Sequence, residues 1–205
     1  MPTRISVRPS RKARPAALLG LLVAATLAAT LAACAAGSGG VIGGAYYAPQ
    51  YSWSEFFAAT DGRNFQVVED GNPFPALPAD EVRRRLLPVM QANKPRPNLT
   101  FTYRPPPEPP RPDYRLVLVF DAGLDLTADR VCAGQVWHNP RPTRPFDLFA
   151  VYCRNDQVMS YTTAWTPADG PDDPRVGQLF AQLFLVLFPD YPLFRRGPLR
   201  GALRP

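Results

Sequence analysis

The chain reads as an α+β protein, a single small domain with a mainly antiparallel sheet of four or five strands and two packed helices. Three observations predict this. Tyr114 to Phe120 ends in an unbroken apolar stretch, Leu116 to Phe120, as in a central strand covered on both faces. Phe146–Cys153 and Gln157–Trp165 are strand-like runs separated by Arg154-Asn155-Asp156 and read as a hairpin. Near the C-terminus, Val176, Leu179, Phe180, Leu183, Phe184 and Leu187 recur at the spacing of one helix face.

The remaining elements follow in order. Asn64 to Glu69 alternates, placing Phe65 and Val67 on one face of a short strand. Gly71-Asn72-Pro73-Phe74-Pro75 breaks it. Asp80 is placed to N-cap a helix whose apolar stripe is Val82, Leu86, Val89 and Met90, and Pro88 is expected to kink or end that helix. Leu99, Phe101 and Tyr103 alternate in a second strand. Pro105 to Pro112 is an extended, polyproline-type connector; a target for a proline-reading module is the sharper alternative. In the hairpin, Met159, Tyr161, Thr163 and Trp165 are expected on one face. The loop Asp169 to Pro174 offers an N-cap to the last helix. Its final turn, with Leu185, Val186 and Phe188 added to the stripe, is expected to be buried nearly all round, and Pro189 and Pro192 stop it.

The N-terminus has a different character. Arg4, Arg8, Arg11, Lys12 and Arg14 occupy the first fifteen residues without an acidic group, and residues 16–33 are uncharged and rich in Leu and Ala. A positive region, an apolar region and small residues before a cleavage point make up an export signal, assigned to residues 1–33. The run closes in Leu31-Ala32-Ala33-Cys34, which resembles the lipobox of bacterial lipoproteins. The body of the chain resembles no characterised family.

The lipobox resemblance implies diacylglycerol on the Cys34 sulfur, cleavage between Ala33 and Cys34, and acylation of the new N-terminus by a chain such as palmitate. Several acyl chains on one residue anchor stably, at about 0.8 kcal/mol per buried methylene. Residue 35 is Ala and not Asp, which in that family implies the outer membrane and a periplasm-facing domain. Two other readings of the leader are an uncut signal anchor and an ordinary signal peptide cut elsewhere. A twin-arginine signal fits poorly, because Ser10-Arg11-Lys12 lacks the second arginine.

Removing the leader changes the composition. The whole chain carries a formal charge of +6, but residues 34–205 hold 18 basic against 17 acidic groups, which gives no electrostatic case for nucleic acid. Arg195, Arg196, Arg200 and Arg204 form a basic tail over residues 195–205, a solvated terminus or a contact for anionic headgroups. Residues 34–50 begin with the lipidated cysteine and continue as a Gly- and Ala-rich tether with an r.m.s. reach of roughly 20 Å. Tyr46, Tyr47, Tyr51 and Trp53 mark the approach to the domain, placed at residues 51–194, or an interfacial patch near the lipid. Once Cys34 takes lipid, Cys132 and Cys153 are an even pair in an oxidising compartment and are expected as a structural disulfide. A redox-active pair is the alternative, without the C-x-x-C spacing.

No constellation with a defined chemistry stands out. His138 is the only histidine and no nucleophile has a recognisable spacing to it. Asp121, Asp125 and Asp129 recur every fourth residue, but without the calcium-loop pattern they read as solvated charges. Arg83-Arg84-Arg85 fans over one helix turn, either solvated or facing an acidic partner or lipid phosphates. No cofactor fingerprint, metal set or catalytic group is assigned. The expected function is that of a membrane-tethered, non-enzymatic periplasmic lipoprotein. It would act in interaction, envelope assembly or as a transport accessory, with lipid through Cys34 and an envelope protein as partners. The alternative is a small-ligand or metal-binding lipoprotein with a pocket between the sheet and the 121–145 loop, lined by Tyr161, Trp165 or His138.

Overall fold

The computed structural model of the protein describes residues 40–105 and 113–190. The leader, Cys34, most of the proline-rich connector and the basic tail lie outside them. Seven strands form one mixed sheet: β1 (Val41–Ile42), β2 (Tyr46–Tyr47), β3 (Asn64–Asp70), β4 (Thr100–Thr102), β5 (Tyr114–Phe120), β6 (Asp147–Arg154) and β7 (Gln157–Trp165). The order is β1-β7-β6-β5-β3-β4, with β2 also on β7. Among the described residues the helices are α1 (Trp53–Thr60), α2 (Ala79–Ala92), α3 (Ala128–Cys132) and α4 (Pro174–Leu187).

The α+β class holds, but the sheet is larger than expected and mixed. β3 pairs in parallel with both β4 and β5, while β5, β6 and β7 run antiparallel. The parallel part follows from connectivity, since α2 carries the chain from β3 across to β4, as a parallel pair requires. β5 is central, and Leu116 to Phe120 are buried throughout.

Residues 34–50 are not a free tether over their whole length. Val41 is registered with Trp165 and Tyr47 with Ser160, so this segment adds two short strands to the outer edge of β7. The glycines that suggested flexibility serve close approach instead. A Cβ on Gly40 would sit 2.3 Å from Leu179 Cδ1 and 2.9 Å from the Trp165 carbonyl oxygen. Tyr51 hydroxyl donates to the Pro189 carbonyl (3.0 Å) and Tyr47 hydroxyl to that of Val186, fastening the strap to the end of α4.

The main core lies on one face of the sheet under α1, α2 and α4. All six stripe residues of α4 are buried, each stabilising by about 1.5–3 kcal/mol. Phe56 of α1 stacks on Phe188 with centroids 4.4 Å apart, and both meet Tyr152 edge-on. The last turn of α4 is not buried all round, because Leu185 points outward at 74 % exposure. In α2 the helix begins at Ala79 with Pro78 as N-cap, not Asp80, and Pro88 does not end it. Val82, Leu86 and Met90 are buried on one stripe, and their packing offsets the ~3 kcal/mol that an interior proline costs. Beyond Pro88, Gln91 reaches the β4 edge, accepting from the Phe101 amide and donating to the Leu99 carbonyl.

The hairpin forms as expected, with Asn155 left-handed at its turn. Its second arm does not keep one face. Cys153 opposes Val158 while Tyr152 opposes Ser160, so Met159 is an extra residue on β7. This bulge flips the alternation. Met159 and Ser160 both join the main-core side, and Tyr161 packs on the other.

Candidate functional site

The second face of the sheet is covered at one end only. Val117, Val119, Val151 and Cys153 lie under Ala128, Val131 and Cys132 of the five-residue helix α3. A disulfide joins Cys132 to Cys153, with Cα atoms 5.6 Å apart, and pins the 121–146 excursion to β6. Arg115 adds a second fastening by donating to the Cys132 carbonyl at 2.6 Å.

The part of this face over β6, β7 and the strap is open and holds two clefts. One, of about 390 Å³, lies between the loop after β5 and the ends of β1 and β7; Val41, Leu124, Arg144, Asp147, Thr163 and Trp165 line it. The other, of about 690 Å³, lies between β2, the start of α3 and the hairpin turn, and includes Tyr46, Asp129, Gln157 and Tyr161. Leu126 and Phe149, both buried in the apolar cluster of this face, line both clefts, so the two clefts adjoin. Aromatic rings make its floor: Tyr46 stacks on Tyr161 at 5.0 Å, and Phe149 meets Tyr161 edge-on at 5.7 Å. Arg144 lies over the Trp165 ring, 5.4 Å from its centroid.

No known protein family matches the chain, and no curated protein matches it. Among solved structures it is similar to a PelC dodecamer from Paraburkholderia phytofirmans. The two are 11 % identical, and the likeness covers 73 % of this chain and 96 % of that one at a TM-score of 0.37.

The titratable candidates gather elsewhere. β3 and β5 are parallel neighbours whose following segments diverge, so their carboxyl ends form a crevice of the kind open α/β sheets use for ligands. Here the crevice is filled by the protein itself. His138 places Nδ1 2.9 Å from the Phe120 carbonyl oxygen and Nε2 2.8 Å from Asp70 Oδ1. Gly71, at φ +90°, allows the approach, because a Cβ there would lie 2.8 Å from that same Phe120 oxygen. A general base needs a ring nitrogen free to meet a substrate proton. Both nitrogens of His138 are engaged within the fold.

Asp121, Asp125 and Asp129 do not converge. Asp125 accepts from the Trp137 indole at 2.7 Å, and Asp129 lines the larger cleft. Asp121, left-handed at φ 51°, donates its amide to the Asp147 carbonyl. Burial pushes both carboxyls above the ordinary range, and the charge of Asp147 raises Asp121 further. Among the described residues, no three His, Cys, Asp or Glu side chains gather as a metal set. Of the three arginines on α2, Arg83 pairs with Asp80 and Glu69, and Arg85 with Glu81 and Asp172.

The pocket expected between the sheet and the 121–145 loop corresponds to the smaller cleft. Trp165 lines it, Tyr161 belongs to the larger one, and His138 lines neither. Arg144 was missed because its partner Trp165 lies far along the chain, and the loop between them carries no periodic signal. α1 had a legible start in Ser52-x-x-Glu55, the capping-box spacing, and Ser52 does accept from the Glu55 amide.

Proposed function

We propose that this is a lipid-anchored protein of the bacterial envelope, held through Cys34 with its domain facing the periplasm. It acts by binding a protein partner on the open face of its sheet. The observation that carries this reading is the uncovered surface over β6, β7 and the strap. It is an aromatic floor with Arg144, Asp147, Thr163 and Asp129 at its margins. That combination of apolar centre and polar rim is the make-up of a protein interface. In this reading the protein's role is in assembly or transport, and His138, with both nitrogens engaged within the fold, is a structural residue.

The chain geometry supports the same reading. Val41 lies seven positions after Cys34, a reach of at most about 25 Å. An anchor at Cys34 therefore keeps the β1 edge, and the open face beside it, close to the bilayer. The test is a photocrosslinking residue at Tyr161 in intact cells. A discrete crosslinked species that is lost with Cys34→Ala and with Tyr46→Asp, a change at an exposed residue of the larger cleft, supports the reading; crosslinks unchanged by both contradict it.

The smaller cleft favours a second reading. Its Arg144–Trp165 pair and a volume of about 390 Å³ suit a small amphipathic ligand. A saturable thermal shift lost in Trp165→Ala supports that alternative.

A further inference from the structure

We propose that the end of the domain bearing Leu124, Trp137 and Arg144 rests directly on a phospholipid bilayer, so that the anchored protein holds one fixed orientation. The proposal builds on the lipid anchor of the preceding section. Leu124 follows the central strand in a loop and is 95 % exposed, so its side chain projects from the domain. Val41, the first residue of the sheet after the anchor segment, is 48 % exposed, and it lines the same cleft as Leu124 and Arg144. Trp137 packs against Gly123, whose ideal Cβ would lie 2.3 Å from its Cδ1, so the indole is held beside Leu124. It is 36 % exposed and its N–H is already satisfied by Asp125. Three of the large exposed apolar side chains therefore share one end of the domain.

The chemistry suits a lipid surface better than another protein. Tryptophan settles at the boundary between headgroups and acyl chains, and a leucine beside it inserts. Arg141 and Arg144 are exposed on the adjoining segment and suit phosphate oxygens. Asp125 and Asp147 stand in the same region, so the patch has no strong net charge. Apolar insertion holds it, with the arginines placing it relative to the phosphates. The patch is too small to bind a membrane from solution. A tether of six residues between Cys34 and Val41 makes the contact intramolecular, and weak contacts become effective at the high local concentration that results.

The experiment uses the full-length chain, purified from envelopes and reconstituted into phosphatidylethanolamine–phosphatidylglycerol vesicles with plain or brominated acyl chains. Bromine quenches only indoles that reach the acyl region; a Trp165→Phe background removes the indole that shares the cleft with Leu124, and Trp53, packed on the other face of the sheet, serves as the internal reference. The expected result in that background is quenching of about half of the emission, the share of one tryptophan in two. It should vanish in Trp137→Phe and fall at least about twofold in Leu124→Asp, a change at an exposed site that leaves the fold intact. Lipid on Cys34 is scored by mass in the same sample. Lipidated protein with equal emission in both vesicle types overturns the docked orientation and leaves the anchor standing. Quenching through Trp137 without lipid on Cys34 upholds the docked orientation but overturns the anchor and, with it, the tether argument for the contact. Neither signal overturns both.

Discussion

Val41 is registered opposite Trp165, so the sheet begins only seven residues after Cys34. The strap that makes this pairing is narrow and depends on the absence of side chains at its glycines. Gly40→Val places a branched side chain against Leu179 and the backbone of Trp165. Overpacking of this kind costs about 1–3 kcal/mol. Hydrogen exchange should then show amides 41–47 losing protection while β5 and β6 keep theirs.

The disulfide is the second local fastening. It joins residues 21 apart, and opening a loop of that size removes about 3 kcal/mol. Cys132→Ala with Cys153→Ala should lower stability by that order in a urea melt. The protein should remain folded, because the α1–α2–α4 core lies on the other face of the sheet.

Stability should depend on pH through Glu69. Its side chain is 2 % exposed, and burial pushes its carboxyl up to about 7, against the opposing effects of the Tyr103 hydroxyl and the Arg83 charge. The folded state thus binds a proton that the unfolded state releases near pH 4.5, so this contribution is full at low pH and is lost as pH rises toward 7. Asp121 and Asp147 are shifted in the same direction; Glu55 and Asp173, shifted down, act oppositely and only in the acidic range. Melting temperature should fall between pH 5 and pH 8, by on the order of 2–3 kcal/mol in stability. Glu69→Gln keeps an acceptor for Tyr103 and should flatten that fall.

Gly71 sits where two strand ends and His138 meet. Its φ of +90° and the 2.8 Å separation that a Cβ would have from the Phe120 oxygen leave no room for a side chain. Gly71→Ala should destabilise by about 1–3 kcal/mol, seen as a lower midpoint in the same urea melt. Gly62, also at positive φ but with open space around it, should tolerate Ala at a smaller cost.

Much of the fold was legible where local pattern and burial agree. β5, the hairpin and α4 were readable because an apolar run, a turn flanked by strands and a helical stripe each point one way. The strap was not, because Gly-rich composition signals flexibility, and only the position of Leu179 and Trp165 turns those glycines into a docking requirement. The flip at Met159 was hidden because a bulge leaves no mark on the alternation. The parallel pairing of β3 was unreadable for a related reason: it depends on where α2 returns the chain. The cleft was partly foreseen through Trp165 and Tyr161. Arg144 and Leu124 were not, since exposure and distant pairing have no periodic signature.

The proposed membrane attachment rests on Cys34. Full-length protein expressed in a Gram-negative host with an alkyne palmitate tests it most directly. The label should sit on the wild-type chain in the membrane fraction, and Cys34→Ala should be unlabelled and depleted from that fraction. A wild-type chain without label, or equal labelling and membrane recovery in Cys34→Ala, would contradict the account.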